Sequence, residues 1–443
     1  MRTLAFLLPL LVAAPAFAQD GSVAVRAGTV MLPDGSTLEN GTVVVQGGRI
    51  TSVGGADLEI PFDVVLHEFP EGVVFAGFHE AHTSDGLDRA NESVPIAPFL
   101  HVRDSIDPVS FYFEDELRNG TVAIGIIPGN DTVLGGSGVV VAPYGMTVEQ
   151  MTVHAPMGQK LAIGPQRGWS RASQLAELRE AVAKLHADLR VLGQAKLDGD
   201  AADEDQRRIA GEDATDEEDH DQPVVRFGDD FPGKDALRAA DLDDAQLGLV
   251  RVLNGDERLW VWAPTATDVQ HARLWLDEHG LTGNSVLVVT AAAWKAADVI
   301  AEMDCPVALI GGLWDVERDP VTRKEERHFA PLAFHEAGVI FSVGSEKGRM
   351  GPDRLGYQTA VMIREGVPRA AALAAVTAVP AMLWGADGKL GVLEEGADGT
   401  FVVLDGDPLA AESRVLHVWL RGEHAYDRSQ DERLQRLLEG ENE

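Results

Sequence analysis

The sequence predicts an α/β protein in which a closed (β/α)8 barrel is joined to a small β-sandwich formed by the two ends of the chain. Two observations lead to this prediction. Buried-type apolar strands alternate with helical patterns through the long middle of the chain, and short β-rich runs separated by turns occur near both ends. Apolar strands that alternate with helices indicate parallel β/α units, because helices cover such strands on both faces.

The sandwich is predicted from residues at both ends. Short β-rich runs fill residues 23–53, but this segment has too few strands to bury a core by itself. Two further apolar runs, at 399–405 and 415–422, supply more strands. We therefore expect residues 19–66 and 386–430 to meet in one composite domain.

Residues 67–385 are predicted to form the barrel, of the TIM type, since their length and their eight candidate strands suit that architecture. The candidate strands are 73–78, 121–127, 138–142, 160–163, 259–263, 285–290, 306–310 and 339–343. The candidate helices are 172–192, 266–279, 293–303, 327–337, 357–365 and 369–378.

One acidic segment interrupts this order. Residues 198–221 contain twelve Asp or Glu residues against two Arg residues. A block of this kind is typical of a solvated, disordered insertion, because like charges repel one another and few apolar side chains are present to bury. The alternative is a flap over the barrel that attracts cations.

The first residues have the pattern of a cleavable secretory signal. Arg2 precedes an apolar run at residues 4–17, and Ala18 is the small residue at the cleavage position before Gln19. The run is shorter than the roughly 20 residues that a membrane-spanning helix needs. We expect a signal peptide of residues 1–18, cleaved after Ala18, and a periplasmic or secreted protein.

The charge balance excludes two classes of partner. The formal net charge is −34 at pH 7, with 71 acidic residues against 37 Lys and Arg residues. So acidic a surface repels nucleic acid and anionic membrane lipids. The one cysteine, Cys305, cannot form an internal disulfide, and its apolar context predicts a buried core residue.

Two parts of the chain carry a family resemblance. Residues 76–84 read Ala-Gly-Phe-His-Glu-Ala-His-Thr-Ser, an apolar strand that ends in a single His-x-Ser. Near the other end, 364–367 (Arg-Glu-Gly-Val), 391–398 (Gly-Val-Leu-Glu-Glu-Gly-Ala-Asp) and 404–409 (Leu-Asp-Gly-Asp-Pro-Leu) follow in order. In these motifs and their order the chain resembles the amidohydrolase superfamily, in particular a bacterial, imidazolonepropionase-like subgroup.

The resemblance implies a metal-dependent hydrolase of C–N bonds other than ordinary peptide bonds. In that family a His-x-His pair on the first strand, histidines after strands five and six and an Asp after strand eight hold zinc or another divalent metal. Some members add a carboxylated Lys from strand four. The metal lowers the pKa of a bound water, and the Asp accepts its proton as hydroxide attacks a carbonyl. Imidazoles suit this role because neutral nitrogen donors leave the metal a Lewis acid.

The metal positions that the resemblance implies are mostly replaced in this chain. Side chains two apart on a strand point the same way, so His82 matches the first ligand and Ser84 stands at the second. The fifth-strand ligand is expected near Trp262, and the sixth near Val289 or Thr290, where no imidazole is present. Three imidazoles are missing together, so we expect a degenerate metal site.

Three residues remain as candidates for the metal and catalytic roles. Glu346 lies where the Asp is expected and is a candidate general base and metal ligand, since catalytic groups lie at the C-terminal ends of barrel strands. His82 is a candidate acid, base or residual ligand, or else a histidine satisfied by a neighbour at the barrel mouth. Lys160, near the fourth strand, is either a carboxylated metal bridge or a lysine paired with an acid.

Other polar and aromatic residues have either both a functional and a structural interpretation or no assigned role. Glu80 is expected on the face of His82, as a ligand, a base or a structural hydrogen-bond acceptor, and His79 on the other face beneath a helix. Four further histidines do not have the spacing of a metal-ligand set: His101, His154, His328 and His335. His328 and His335 are expected on one helix face. Three tryptophans are expected to fill part of the pocket: Trp260, Trp262 and Trp294.

Three functions follow as hypotheses. The first is an exported amidohydrolase-type hydrolase with impaired standard catalysis, whose cofactor is zinc or another divalent metal if the family site is retained. The second is a non-catalytic pseudoenzyme that acts as a binding or partner subunit, for example beside an active homologue. The third is metal-free acid–base chemistry by His82 and Glu346. In each, the barrel mouth takes a small molecule or small peptide, and the scaffold commonly forms homo-oligomers.

Overall fold

The computed structural model describes part of the chain in full and part as backbone alone. Described are residues 21–210, 222–348 and 351–440, with backbone alone at 200, 202–210, 346–348, 351–353 and 439. The predicted signal peptide and residues 211–221 of the predicted acidic insertion lie outside the described residues. In the described ranges no helix combines the length and apolar character needed to cross a bilayer.

The elements follow one another along the chain in an α/β order. The strands are β1 Val23–Met31, β2 Thr37–Glu39, β3 Thr42–Gln46, β4 Arg49–Gly54, β5 Leu66–Phe75, β6 Phe78–Thr83, β7 Thr121–Ile126, β8 Leu134–Val141, β9 Thr152–Ala162, β10 Leu259–Trp262, β11 Ser285–Val289, β12 Val307–Leu309, β13 Trp314–Arg318, β14 Glu325–Phe329, β15 Phe341–Val343, β16 Glu346–Gly348, β17 Gly351–Asp353, β18 Phe401–Leu404, β19 Val415–Leu420 and β20 Glu423–Asp427. The α-helices are α1 Phe111–Arg118, α2 Val148–Met151, α3 Arg171–Ala210, α4 Asp244–Asn254, α5 Ala266–His279, α6 Ala297–Met303, α7 Ala330–Glu336, α8 Leu355–Arg364, α9 Arg369–Ala374, α10 Ala378–Leu383 and α11 Glu432–Glu439.

The two ends of the chain together build one eight-stranded sheet. Its hydrogen-bonded order is β20-β19-β18-β5-β1-β3-β4, and β2 pairs with β1. Strand β5 joins the two ends, because it pairs in parallel with β1 and antiparallel with β18. Phe401 and Trp419 of the C-terminal strands stack in the same core as the N-terminal valines.

The middle of the chain forms the predicted eight-stranded barrel, in the order β15-β12-β11-β10-β9-β8-β7-β6. The first candidate strand, 73–78, was placed wrongly. It spans the end of β5, which belongs to the other sheet, and the first residue of β6. Between the two strands Gly77 adopts φ +80°, and a Cβ there would lie 2.6 Å from the Val122 side chain. Glycine therefore lets the chain pass from one sheet to the other.

Strand β8 departs from the predicted parallel arrangement. It pairs antiparallel with both neighbours, β7 and β9. The physical reason is the length of the connection, since residues 127–133 alone join β7 to β8. A parallel crossover needs about a dozen residues or more, whereas a short link returns the chain antiparallel. The expectation that every barrel strand runs parallel is wrong at this strand, although the barrel class is confirmed.

Two predicted segments change type in the structure. Helix α3 continues through Ala210, so the first half of the predicted acidic loop is helical. Its Ala, Glu, Gln and Arg residues have good helix propensity and extend a helix that is already nucleated. In the predicted helix 327–337, the first residues instead belong to β14, which pairs with β13. His328 therefore lies on a strand and His335 on α7, and they do not share a helix face.

The barrel has an apolar interior that is separate from the layer under its helices. Val286 and Val288 of β11 pack in an inner cluster with Ala81, Trp260 and Ala308, whereas the alternate residues of the same strand pack against the outer helices. This alternation distinguishes the inner face of each strand from the outer one. The end of α10 contributes Leu383 and Trp384 to the inner cluster, so the barrel is a packed core and not a pore.

Candidate functional site

The family motif lies on β6, where the pairing with β7 is irregular. The register shifts between Glu80 and Thr83, which breaks the strict alternation of side chains along the strand. Ala81 points into the inner cluster, while Phe78 packs with the outer one. After the shift, His82 also reaches inward, towards β9.

The inward side of β9 presents Lys160 to His82. Leu161 packs in the outer cluster, so its neighbour Lys160 points into the barrel. The Lys160 Nζ atom lies 2.9 Å from His82 Nε2 and donates to Asn130 Oδ1 at 2.5 Å. Lys160 and His82 are both buried, and the His82 ring centroid lies 5.9 Å from that of Trp260. An amine, an imidazole and an amide thus meet at the end of the barrel where the resemblance implies a metal site.

Burial removes charge from this group of residues. It lowers the pKa of His82 well below the ordinary value, and the charge of Lys160 lowers it further. Burial also lowers the pKa of Lys160 to about 7. The cause in both is that a buried charged form loses its hydration. Among the described side chains no carboxylate contacts Lys160, and the partners described are His82 and Asn130, so the predicted pairing with an acid stays a prediction.

Asn130 is a site residue to which the sequence analysis gave no role. It lies in the short link between β7 and β8, at the end of the barrel where β7 and β9 terminate. Its amide oxygen accepts a hydrogen bond from the Lys160 amine. The sequence position of Asn130 could have indicated this role, because polar residues that follow barrel strands gather at this end of the barrel.

The described residues do not fit the metal of the family. A zinc ion lies about 2.0–2.1 Å from a histidine nitrogen, and the Lys160 amine stands in front of His82 Nε2. Strand β10 ends at Trp262 and β11 at Val289, so neither strand supplies an imidazole. In the described part of the chain no group of three or more His, Cys, Asp and Glu side chains has metal-binding geometry. The side chain of Glu346 lies outside the described residues, and its predicted role stays a prediction.

Glu80 closes the barrel seam. Its Oε2 atom accepts a hydrogen bond of 2.8 Å from the Ser345 backbone N–H, just after β15. Burial raises the pKa of Glu80 to about 8 against the opposing hydrogen bonds to Ser345, and the charges of Glu116 and Asp85 add smaller contributions in the same direction as burial. A neutral carboxyl therefore links β6 to the last barrel strand at pH 7, which matches the structural interpretation of this residue.

His79 points into the barrel beside the end of α10. Its Nδ1–H donates to the Gly77 carbonyl at 3.2 Å, and its ring centroid lies 5.8 Å from that of Trp384. Burial lowers the pKa of His79 to about 4, so the ring is neutral. No described residue accepts from or donates to its Nε2 atom. His79 packs with the inner cluster and does not touch the Lys160 amine.

The three tryptophans have different surroundings. Trp260 fills the barrel interior and donates from Nε1 to the Met157 carbonyl at 3.2 Å. Trp262 is half-buried at the end of β10. Trp294 lies outside the barrel centre, where it stacks on His328 at 4.0 Å between ring centroids. Only the first two therefore occupy the barrel axis and mouth.

The remaining histidines are scattered over the described structure. His101 is exposed beside β8, and His154 is half-buried near the start of β9, far along that strand from Lys160. His335 lies on α7. None of them is close enough to His82 to complete a metal site in the described residues.

Comparison with known proteins finds two sequence matches to part of this chain. The family model described as "Amidohydrolase family" matches residues 339–426. The amidohydrolase tasK of Hapsidospora irregularis is 40% identical over 62 residues, which are 14% of this chain and 6% of that protein. The chain thus spans a small fraction of the length of that curated relative.

Solved structures agree at the level of the fold. An amidohydrolase from Thermotoga maritima has a TM-score of 0.70 and 22% identity, covering 92% of this chain and 100% of its own. An adenosine deaminase from Xanthomonas campestris, solved with bound zinc, has a TM-score of 0.51 and 18% identity, covering 94% of this chain and 96% of its own. At these identities the likeness shows a shared fold.

Proposed function

We propose that this chain is an amidohydrolase-type protein that binds a small molecule or small peptide at the barrel mouth without the metal-activated water of that superfamily. The hydrolase-type assignment is supported by the closing segment, residues 339–426, and by the shared fold. The loss of standard catalysis is the part that is specific to this chain, and it makes the protein a binding or partner subunit.

One observation carries the proposal. The Lys160 amine lies 2.9 Å from His82 Nε2, at the position that a metal bound to this nitrogen would take. His82 is the one imidazole of the expected set that this chain retains, so the contact removes the last nitrogen donor. A Lewis acid is what lowers the pKa of a bound water to near neutral, and we propose that this chain does not hold one.

The residues at the mouth are suited to hold a polar ligand. Lys160 and Asn130 supply a donor and an acceptor at the floor. Ser84, Trp262 and Ile310 are partly exposed around them. A few polar groups set among apolar walls are typical of small-molecule sites. A ligand with an amide or carbonyl group would accept from Lys160 and pack on Trp262.

Metal analysis tests the loss of the family cofactor. The wild type is purified without chelator, exposed to excess zinc, desalted and measured by plasma mass spectrometry. We expect well below one zinc per chain, and the same value for His82→Ala. One tightly held zinc per chain that is lost in His82→Ala would contradict the proposal.

Ligand binding tests the positive part of the proposal. A panel of N-acyl amino acid amides and dipeptides is titrated in metal-free buffer by calorimetry. Saturable binding should weaken about tenfold in Lys160→Met, because one hydrogen bond to the ligand is lost. Lys234→Met is the matched control, since Lys234 is also buried but donates to the Gly228 carbonyl elsewhere. Equal losses in both variants would contradict a site at Lys160.

Metal-free turnover is a second candidate. It is favoured by the contact between His82 and Lys160, because burial lowers the pKa of Lys160 to about 7, which lets its amine exchange a proton near neutral pH. Glu346 is the acid–base partner proposed from the sequence. Hydrolysis of panel members in chelator, abolished by His82→Ala and by Glu346→Gln, would establish this activity and replace the purely binding role.

Export is also proposed, from the signal pattern of residues 1–18. The mass of the intact mature protein measures it, and we expect a chain that begins at Gln19 in the periplasmic fraction. Recovery of the full chain from Met1 in the cytoplasm would contradict it. Light scattering of the purified protein, alone and with an active homologue, tests the proposed homo-oligomer or partner subunit.

A further inference from the structure

A second site lies at the opposite end of the barrel from Lys160. A cleft of about 390 Å³ opens between the β3–β4 turn, the β19–β20 turn and the start of β9. Val153, near the start of β9, lines it. Lys160 is seven residues further along this strand, a separation of about 20 Å at the usual rise per residue. The cleft is therefore separate from the barrel mouth and lies between the barrel and the composite sheet, where ligand sites are common.

The charge of this cleft is opposite to that of the protein. Three of its ten lining residues are cations, Arg49, Lys389 and Arg421, and one is an acid, Asp398. The whole chain has 37 Lys and Arg residues against 71 Asp and Glu residues. A positive cleft on a protein of net charge −34 is a local reversal of the field, and such reversals concentrate anions.

The two arginines are held in place by one carboxylate. Asp398 lies 3.4 Å from Arg49 Nη1 and 3.3 Å from Arg421 Nε. Arg49 also donates to the Gly396 carbonyl at 3.0 Å, and Arg421 to the Val153 carbonyl at 3.2 Å. The guanidinium groups thus lose little further side-chain freedom on binding a ligand. They remain about half exposed, so an anion can reach them.

The third cation has no role in holding the two domains together. Lys389 is exposed, and in the described ranges its amine has no acceptor within hydrogen-bonding distance. Its charge does act on His154, whose pKa is lowered by burial first and then by Lys389 and Arg258. Lys389 therefore faces the same space as the neutral His154 ring and adds a positive charge that no described acid neutralises.

We propose that this cleft binds a small oxyanion, the phosphate or carboxylate group of a small ligand, between Lys389 and the paired Arg49 and Arg421. The planar guanidinium matches such groups because its N–H donors form parallel hydrogen bonds to two oxygens. The two arginines and Asp398 leave one positive charge, and Lys389 adds a second.

The competing explanation is that these residues form a purely structural clasp between the domains. Lys389 distinguishes this explanation from anion binding. The clasp requires Asp398, Arg49 and Arg421, and its bond from Arg421 to Val153 joins the sheet to the barrel. Lys389 contributes its side chain to none of these bonds. Replacing Lys389 therefore leaves the clasp intact and removes charge from the cleft alone.

Calorimetric titration of the full chain with inorganic phosphate, and separately with succinate, tests the proposal at constant ionic strength. We expect saturable binding of at least one anion, weakened about tenfold in Lys389→Gln, as for loss of one charge-assisted hydrogen bond. The matched control is Lys184→Gln, which removes the same charge from an exposed position on α3 and should leave binding unchanged.

The possible results of this titration either identify the class of ligand or overturn the proposal. Tighter phosphate binding identifies a phosphorylated ligand, and tighter succinate binding a carboxylated one. The proposal is overturned if neither anion gives saturable heat at a 10-fold excess over a millimolar concentration of protein. An equal loss in both lysine variants also overturns it, since that result would come from the overall charge and not from the cleft. Thermal unfolding of each variant confirms that it is folded.

Discussion

The two ends of the barrel place cationic side chains in opposite surroundings. At the mouth, Lys160 is fully buried beside the neutral His82 ring. At the base, Arg49 and Arg421 are about half exposed and share Asp398. A cationic group keeps its proton where water or a carboxylate solvates it and gives it up where neither does. The buried Lys160 therefore supplies a neutral hydrogen-bonding group at one end, whereas the two arginines, which keep their protons in any surroundings, supply positive charge at the other.

The largest effect is expected from the packed interior that separates the two ends. Trp260 is fully buried there. Trp260→Ala should lower the free energy of unfolding by about 3–5 kcal/mol, because it removes packing contacts and leaves a cavity. Urea denaturation followed by circular dichroism measures this. Trp262→Ala, half-buried on the same strand, is the control and should cost less. Equal costs would show that the interior does not isolate one end from the other.

A smaller effect, dependent on pH, tests whether Lys160 is neutral. Burial lowers the pKa of Lys160 to about 7, from an ordinary value of 10.5. Between these values the unfolded chain holds a proton that the folded chain lacks, so stability rises with pH in this window. The slope is about 1.4 kcal/mol per pH unit at most. This contribution is complete above the unfolded value and is lost as pH falls towards 7.

Lys160→Met provides the comparison for that measurement. From pH 7.5 to 9, the free energy of unfolding should rise by about 2 kcal/mol more in the wild type than in the variant. The opposite trend from Glu80, whose pKa is raised to about 8, is common to both proteins and cancels in the difference. Parallel pH curves would mean that Lys160 keeps its charge, and the contrast between the two ends would fail.

The smallest effect is expected at the exposed end. Asp398→Asn should lower the free energy of unfolding by about 1 kcal/mol, since partly solvated ion pairs contribute little, and the loss should shrink in 1 M NaCl. Asp407→Asn is the control, because it breaks one exposed pair with Arg369 and should have almost no effect. A loss at Asp398 that salt does not change would show that this end is as shielded as the mouth.

Some of this structure was readable in local sequence patterns. The strand and helix alternation predicts the barrel, and α5 has the predicted bounds, because its apolar spacing and its Thr265 cap are local signals. The reversed β8 was also within reach, since residues 127–133 are too short for a parallel crossover. The prediction missed it because it weighed strand composition and not the length of the connection.

The sequence by itself predicted a resemblance to one superfamily, a sheet built from both ends of the chain, and the absence of imidazoles at Trp262 and Val289. These depend on the identity and order of residues, which need no coordinates. The tertiary structure alone decided that Lys160 meets His82, 78 residues away, and that Asn130 holds it. Those contacts depend on the register shift in β6 and on the order of strands around the barrel. Both arise from packing over the whole chain, and no short stretch of sequence encodes them.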